Sequence, residues 1–283
     1  AGIYANNSNV TNSLNITAEK GTSAGIYALS SKAKDIKNLG TINVGLATTP
    51  ATEEKGVGIY AELTGGSGVL NVLNDTGKNI NINIKNSVGI YAKNGTGAKT
   101  NVDAVNKGII TSSDVAGVAG MLLENSIGKN DTGATITIGG TGSAGMFGKL
   151  DSEITNKGTI QATNTSITSA SAGMLADTGK AVNESVITMN GGGSAGLLGK
   201  NNATVTNASP NGVITTKKEK SAGIYTENSS IETQGTSISS TFDKAKGIVA
   251  RNSNVKNNSA LYFSGNESVG IYSNNQSGAL KTV

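Results

Sequence analysis

A short motif that reads Gly-Ile-Tyr-Ala in its purest form recurs along the whole chain of 283 residues. Successive copies are never closer than about 23 residues, and some are up to ten residues farther apart. A fixed shortest spacing with variable excess is typical of a repeat protein with a constant core unit and insertions in its turns. The glycines that mark the eleven copies are Gly2, Gly25, Gly58, Gly89, Gly120, Gly145, Gly173, Gly196, Gly223, Gly247 and Gly270.

Residues alternate in character around each glycine. The residue after the glycine is aliphatic or Met, the next is large, and the third is mostly small. Because side chains alternate between the two faces of a strand, we expect the aliphatic and small residues to point into a core. The glycine and the large residue are then expected on the outer face. The predicted inward ladder includes Ile3, Ile26, Ile59, Ile90, Ile224, Ile248 and Ile271.

Two further short strands accompany each motif. An alternating segment such as Thr41–Val44 precedes it, often after Asn-x-Gly, and a weaker one such as Ala203–Asn207 follows it. The Asn and Gly at these junctions favour turns that need positive φ. Coiling the chain so that equivalent strands stack predicts an all-β fold, a right-handed parallel β-helix of about eleven rungs with three short strands each. We expect one continuous array over residues 1–283, and we interpret it as a fragment of a longer protein.

Composition excludes several kinds of function. The chain has no Cys and no His, so the usual thiol nucleophile and the commonest acid-base residue are absent. Its Lys residues are scattered rather than gathered on one face, which argues against nucleic-acid binding. We expect no catalytic residue, no metal site and no cofactor.

A catalytic pair of carboxylates would lie at matching positions of neighbouring repeats, and acidic residues occur four positions after some motif glycines. Glu62 and Glu124 occupy this position, but the next repeats place Lys93 and Lys149 there. The same holds for Asp177, which Lys200 follows. This alternation predicts exposed ion pairs along one edge rather than a carboxylate pair.

Two kinds of surface could bind a ligand. The column of large residues loses its hydroxyl groups at Leu122, Phe147, Leu175 and Leu198, and we expect an outward apolar stripe there, called the contact stripe below. The longer connecting segments, residues 46–55, 93–103 and 123–132, are the second candidate, because rigid scaffolds often carry function on loops.

The sequence Ser-Ala-Gly-Ile-Tyr, at residues 23–27 and 221–225, together with Asn-x-Gly-x-Ile between copies, resembles a known family. It is similar to the passenger region of type V autotransporters, particularly the large fusobacterial outer-membrane adhesins of the RadD kind. The resemblance implies a monomeric, secreted passenger on the bacterial cell surface, held in the outer membrane by a C-terminal barrel that this chain lacks. It also implies adhesion to a receptor or glycan of unknown identity on other bacteria or host cells.

Two other functions fit a parallel β-helix. A polysaccharide-degrading enzyme would need a cleft with clustered carboxylates. A structural stalk would have uniform rungs and no ligand of its own.

The inward assignment of the aliphatic position can be tested with one pair of variants. Ile90→Asp is expected to lower the melting temperature strongly, because it removes about 1.5–3 kcal/mol of apolar burial and buries a carboxylate. Lys93→Ala, three residues away, is expected to be nearly neutral. Thermal unfolding measures both, and equal melting temperatures would contradict the assignment.

Overall fold

Successive copies of the motif lie in register on one another. Ile3 pairs with Ile26 and Tyr4 pairs with Tyr27, and the same parallel register continues through the later copies. The computed structural model describes residues 1–19, 21–46, 55–166, 168 and 170–275. The predicted right-handed parallel β-helix is confirmed.

The described strands, in chain order, are β1 Ile3–Asn6, β2 Val10–Asn12, β3 Ile16–Ala18, β4 Ala24–Asn38, β5 Thr41–Val44, β6 Val57–Asn74, β7 Asn79–Ile82, β8 Val88–Asn94, β9 Val102–Asn106, β10 Ile109–Ser112, β11 Ala119–Glu124, β12 Ile127–Asn130, β13 Thr135–Ile138, β14 Ala144–Lys149, β15 Glu153–Asn156, β16 Thr159–Ala162, β17 Ala172–Asp177, β18 Lys180–Asn183, β19 Val186–Met189, β20 Ala195–Lys200, β21 Thr204–Asn207, β22 Val213–Thr216, β23 Ala222–Glu227, β24 Ser230–Thr233, β25 Ser237–Ser240, β26 Lys246–Arg251, β27 Asn254–Asn257, β28 Ala260–Phe263 and β29 Val269–Asn274. A short 3-10 helix covers Lys99–Asn101. No helix among the described residues is long and apolar enough to cross a membrane.

The coil has three faces. The motif strands form the motif face, the strands that follow them form the second face, and the strands that precede the next motif form the third face. The third face is a separate sheet of ten strands, β3 to β28, so the described residues make ten complete turns. Strand β29 then begins the eleventh turn.

Two turns depart from the prediction of three short strands. Strands β4 and β6 each run without interruption from the motif face onto the second face, over 15 and 18 residues. Their pairing shifts register near Ser30 and Lys32, where β6 carries the inserted residues. These two strands join the motif and second faces into one sheet of nineteen strands.

The core is a set of stacked aliphatic columns. From the predicted ladder, Ile26, Ile59, Ile90, Ile224 and Ile248 are fully buried. Ile3 and Ile271 are partly buried and pack against the same core.

Side-chain volumes compensate within a turn. Leu123 occupies a motif-face position that is usually Ala, and Gly128 lies opposite it on the second face. A Cβ added to Gly128 would lie 2.7 Å from Cγ of Leu123. The larger residue on one face is therefore matched by the absent side chain on the other, as a close-packed interior requires.

The motif glycine faces into the coil, so its predicted place on the outer face beside the tyrosines is wrong. A Cβ added to Gly145 would lie 2.5 Å from Cγ2 of Ile160 and 2.6 Å from the carbonyl oxygen of Gly173. Ile160 is fully buried on the third face. The alternation of faces breaks here, because the glycine and the residue after it are both buried. Only glycine lets the backbone come this close to the third-face isoleucine.

A ladder of buried asparagines runs along the end of the second-face strands. From Asn12 to Asn183, each Nδ2 donates a hydrogen bond of 2.8–2.9 Å to Oδ1 of the asparagine in the next turn, and Nδ2 of Asn207 ends the ladder by donating to the carbonyl oxygen of Gly212. Because a buried amide must be hydrogen-bonded, the ladder ties neighbouring turns in one register. Its members are Asn12, Asn38, Asn74, Asn106, Asn130, Asn156, Asn183 and Asn207.

The predicted positive φ at the Asn-x-Gly junctions is therefore wrong. Asn38 lies in an extended strand and its side chain serves the ladder. Gly40 is needed for a close approach instead, since an added Cβ would lie 2.1 Å from the carbonyl oxygen of Leu14. Positive φ occurs at asparagines in the turn after the motif strand, such as Asn125 and Asn228.

Two neighbouring residues of β15 test the ladder. Asn156→Ala would leave Nδ2 of Asn130 and Oδ1 of Asn183 without their side-chain partners in a buried site. We expect it to lower the free energy of unfolding by about 2–4 kcal/mol. Thr155→Ala, one residue earlier and half-exposed on the outer side, is the control and should change it by less than about 0.5 kcal/mol. Denaturant titration measures both, and equal losses would show that the ladder adds nothing to stability.

Candidate functional site

The outer side of the motif face carries a column of large side chains. Tyr4 stacks on Tyr27 and Tyr27 on Tyr60, with ring centroids 5.9 and 4.8 Å apart. Tyr91 meets Tyr60 edge to face at 5.0 Å. This end of the column is thus occupied by its own aromatic contacts.

The contact stripe continues this column over four consecutive turns. Leu122, Phe147, Leu175 and Leu198 pair in register, and each is half-buried on the outer side of its strand. The alanines that precede the motif glycines lie beside the contact stripe. These alanines and the stripe residues Phe147, Leu175 and Leu198 line the same surface depression. The structure therefore gathers the four predicted residues into one continuous apolar surface.

A groove follows this surface, and we call it the motif groove. Its apolar stretch encloses about 390 Å³ and is lined by Phe147, Leu175, Leu198 and the neighbouring alanines. Its basic stretch encloses about 630 Å³ and continues past Tyr225 to Tyr272. Leu198 and Lys200 line both stretches, so the two join end to end. The sequence predicted the stripe but not the basic stretch, which depends on turns that precede the motif strands.

Charged side chains of alternating sign form the column next to the groove. The ion pairs predicted for this edge are present, because Nζ of Lys93 lies 2.8 Å from Glu62 and Nζ of Lys149 lies 2.5 Å from Glu124. The same register places Lys200 and Arg251 on either side of Glu227. The alternation extends from Glu62 to Arg251 over eight turns.

The tyrosines share this charged network. The hydroxyl of Tyr60 donates a hydrogen bond of 2.5 Å to Glu62. Burial raises the pKa of the Glu62 carboxyl, but the hydrogen bonds from Lys93 and Tyr60 outweigh it and hold that pKa below its usual value. Burial and the hydrogen bond to Glu62 both raise the pKa of Tyr60. The hydroxyl therefore stays protonated and Glu62 stays ionised at neutral pH.

The predicted binding loops differ from the expectation. Residues 123–132 are not a loop, because they end β11, turn at Asn125 and form β12. Residues 93–103 hold the 3-10 helix, where Nζ of Lys99 lies 3.5 Å from Asp151. Most of the segment 46–55 lies outside the described residues.

A second depression, of about 500 Å³, lies on the second face. Its lining includes Asp103, Lys129, Asp131 and Lys157. Burial raises the pKa of Asp103, against the attraction of Lys129. Lys129 donates a hydrogen bond to Asp131 and, with the backbone N–H of Thr132, holds the pKa of Asp131 below its usual value despite partial burial. Asp103 and Asp131 thus have pKa values shifted in opposite directions. Asp103 pairs in register with Ile127, and Asp131 lies four residues further along that strand, roughly 13 Å away. The two carboxyl groups are therefore too far apart for the pair of about 5–10 Å that glycoside hydrolysis needs.

No group of three or more Asp or Glu residues in the described part of the chain could hold a metal ion. Sequence reasoning missed Asp103, because it compared acids only at the motif position. The available signal was an acidic residue at an outward position of an alternating strand, with Ile127 as its register partner in the following turn.

The opposite shifts of Asp103 and Asp131 predict opposite effects of pH on stability. Asp103 holds its proton more tightly in the folded chain, so its ionised form costs stability at neutral pH and that cost disappears below its ordinary pKa. Asp103→Asn should therefore raise the free energy of unfolding at pH ~7, with a difference that vanishes towards pH ~3.

Asp131→Asn is the matched control with the opposite sign. The pKa of Asp131 is lower in the folded chain than in the unfolded chain, so the ionised carboxylate stabilises the fold at any pH above its ordinary pKa. That stabilisation is lost as the pH falls through the pKa of the folded chain. The substitution should therefore lower stability at neutral pH and have little effect in acid. Denaturant unfolding at several pH values measures both variants, and changes of the same sign at neutral pH would contradict the assignment.

Comparison with known proteins gives one partial match. Residues 119–236, less than half of the chain, match a family model described as the third pectate lyase-like domain of BigA. The matched segment begins at β11 and ends after β24, and it contains the contact stripe and most of the apolar stretch of the motif groove. No curated protein and no solved structure gives a significant match. The chain is thus similar, over turns five to nine of the coil, to a pectate lyase-like β-helix.

Proposed function

We propose that this chain is a passenger segment of a bacterial surface adhesin, a rigid rod that binds its target along the motif groove. The observation that carries the proposal is the contact stripe, an outward apolar surface kept in register over four turns. Apolar surface of this extent on a rigid scaffold often marks a contact site.

The stacked turns suit an extended target. Parallel neighbours lie about 4.8 Å apart, so equivalent side chains present one contact per turn along the rod. A polymer lying in the groove would meet the same kind of contact repeatedly, and many weak contacts in series give useful avidity. The asparagine ladder and the buried core keep these contacts fixed before the target arrives.

Two similarities support a location on the bacterial surface. The repeat resembles autotransporter passengers, and the partial family match is to a pectate lyase-like domain of BigA. Localisation at the outer membrane and the identity of the bound receptor or glycan belong to this proposal.

A polysaccharide-degrading enzyme is the second candidate, and one observation favours it. Asp103 lines the second-face depression, and burial raises its pKa. In such an enzyme Asp103 would be the proton donor, with a second carboxylate supplied within about 10 Å of it. Release of reducing or unsaturated ends from polysaccharides, lost in Asp103→Asn, would establish this candidate.

The adhesin proposal is tested by binding of the purified chain to bacterial and host cells. Leu175→Ser removes apolar area from the contact stripe, so we expect cell binding to weaken about tenfold. Val186→Ser is the matched control, because Val186 is a partly exposed aliphatic residue in the same turn but on the third face.

The control variant should bind like the unchanged chain. Both variants should keep their melting temperature within a few degrees, because both side chains point outwards. Absence of cell binding by the unchanged chain would favour the structural stalk. An equal loss in the two variants would place the contact outside the motif groove.

A further inference from the structure

The basic stretch of the motif groove differs from the apolar stretch in charge. Four cations line it, namely Lys200, Lys220, Lys246 and Arg251, against the single anion Glu227. Lys200, Lys220 and Lys246 form no ion pair with any residue in the described part of the chain. This stretch therefore has an excess of positive charge that the fold does not neutralise.

The sequence departs from its own repeat at this place. The position before the motif glycine is Ala in seven other described turns and Val in three, but Lys at Lys246, which pairs in register with Ala222. Lys220 lies in the preceding turn with a φ of 60°, an uncommon conformation for a residue with a side chain. Both cations are thus additions to a repeat that folds without them.

The guanidinium group of Arg251 lies over an aromatic ring. Its guanidinium carbon lies 5.5 Å from the centroid of the Tyr225 ring. Stacking on the ring restrains the guanidinium and leaves N–H groups at its edge to donate to an anion. A planar guanidinium binds a carboxylate or sulfate through two parallel hydrogen bonds.

The shape of this stretch favours a sugar polymer. It is open and elongated, and it is lined by Leu198, Tyr225 and Tyr272 as well as by the cations. Aromatic and aliphatic faces pack against the C–H face of pyranose rings. The spacing of about 4.8 Å between turns is close to the length of one sugar residue in an extended chain.

We infer that the basic stretch of the motif groove binds an acidic polysaccharide, with its carboxylate or sulfate groups at Lys220, Lys246 and Arg251. The inference rests on the proposed adhesin function and names the class of ligand for the same groove. The apolar stretch would then hold the uncharged part of the same chain.

Calorimetry or surface plasmon resonance on the purified chain tests this inference with defined probes. Oligogalacturonate supplies carboxylates, a heparin oligosaccharide supplies sulfates, and methyl-esterified oligogalacturonate is the uncharged control. We expect binding to at least one acidic probe, no binding to the ester, and weaker binding as salt rises.

The double variant Lys220→Ala, Lys246→Ala should weaken that binding about tenfold. Lys246→Ala restores the residue found in most other turns, so the fold should be kept. The matched control is Lys217→Ala, an exposed lysine three residues from Lys220 that lines a depression on the third face instead. It should bind like the unchanged chain.

Three results would overturn the inference. They are binding of neither acidic probe, equal binding of the methyl ester, and equal binding of single-stranded DNA, which would indicate an unselective polyanion surface. Cell binding by the unchanged chain separates this failure from failure of the proposed function. A chain that binds cells but no acidic sugar keeps the adhesin proposal and loses the inferred ligand.

Discussion

Contact between the motif glycine and a third-face side chain, an isoleucine in the first nine turns, is the constraint on which the coil depends. At Gly145 and Ile160 the approach leaves no room for a Cβ. The chain can therefore turn from the third face into the motif face within a few residues, and the next motif can lie directly on the previous one. That stacking aligns the buried isoleucines, the asparagine ladder and the outer column in register. A larger residue at this corner would push two faces apart and break all three alignments.

Because the turns stack in one register, equivalent residues of the repeat form continuous columns on the surface of the coil. Because equivalent residues stack about 4.8 Å apart, a change of residue type in the repeat changes a whole strip of the rod. Tyrosines that stack on one another give way to the contact stripe and then to a basic stretch with Arg251 over Tyr225. The core is similar under all three segments. Function can therefore vary along the outer column without cost to the fold.

The sequence was sufficient to predict the architecture, because strand alternation and the constant repeat leave one way to bury the aliphatic residues. It also predicted the outward column of Leu122, Phe147, Leu175 and Leu198. The ion pairs of Glu62 and Glu124 with their lysines were predicted as well. Both follow from stacking in register. It misplaced the motif glycine, because strict alternation fails where the chain turns a corner. It misread the junction asparagines, since hydrogen bonds across turns leave no local pattern. The surroundings of Asp103 and the charge of the basic stretch depend on residues in adjacent turns and on the geometry of the connecting segments. The position of a residue within the repeat does not reveal either of these.

Parallel stacking in a single register is the central claim, and a chain without cysteine allows a direct test by paired cysteines. Thr188 and Thr215 are register partners in adjacent turns, and both face outwards. Their backbone separation suits a disulfide, whereas Ser239, the partner of Thr215 one turn further on, lies about twice as far from Thr188. Mild oxidation should therefore form a disulfide in the double variant Thr188→Cys, Thr215→Cys. It should form none in the double variant Thr188→Cys, Ser239→Cys. Bridging of the second pair, or failure of the first in a folded chain, would contradict the register on which the structure rests.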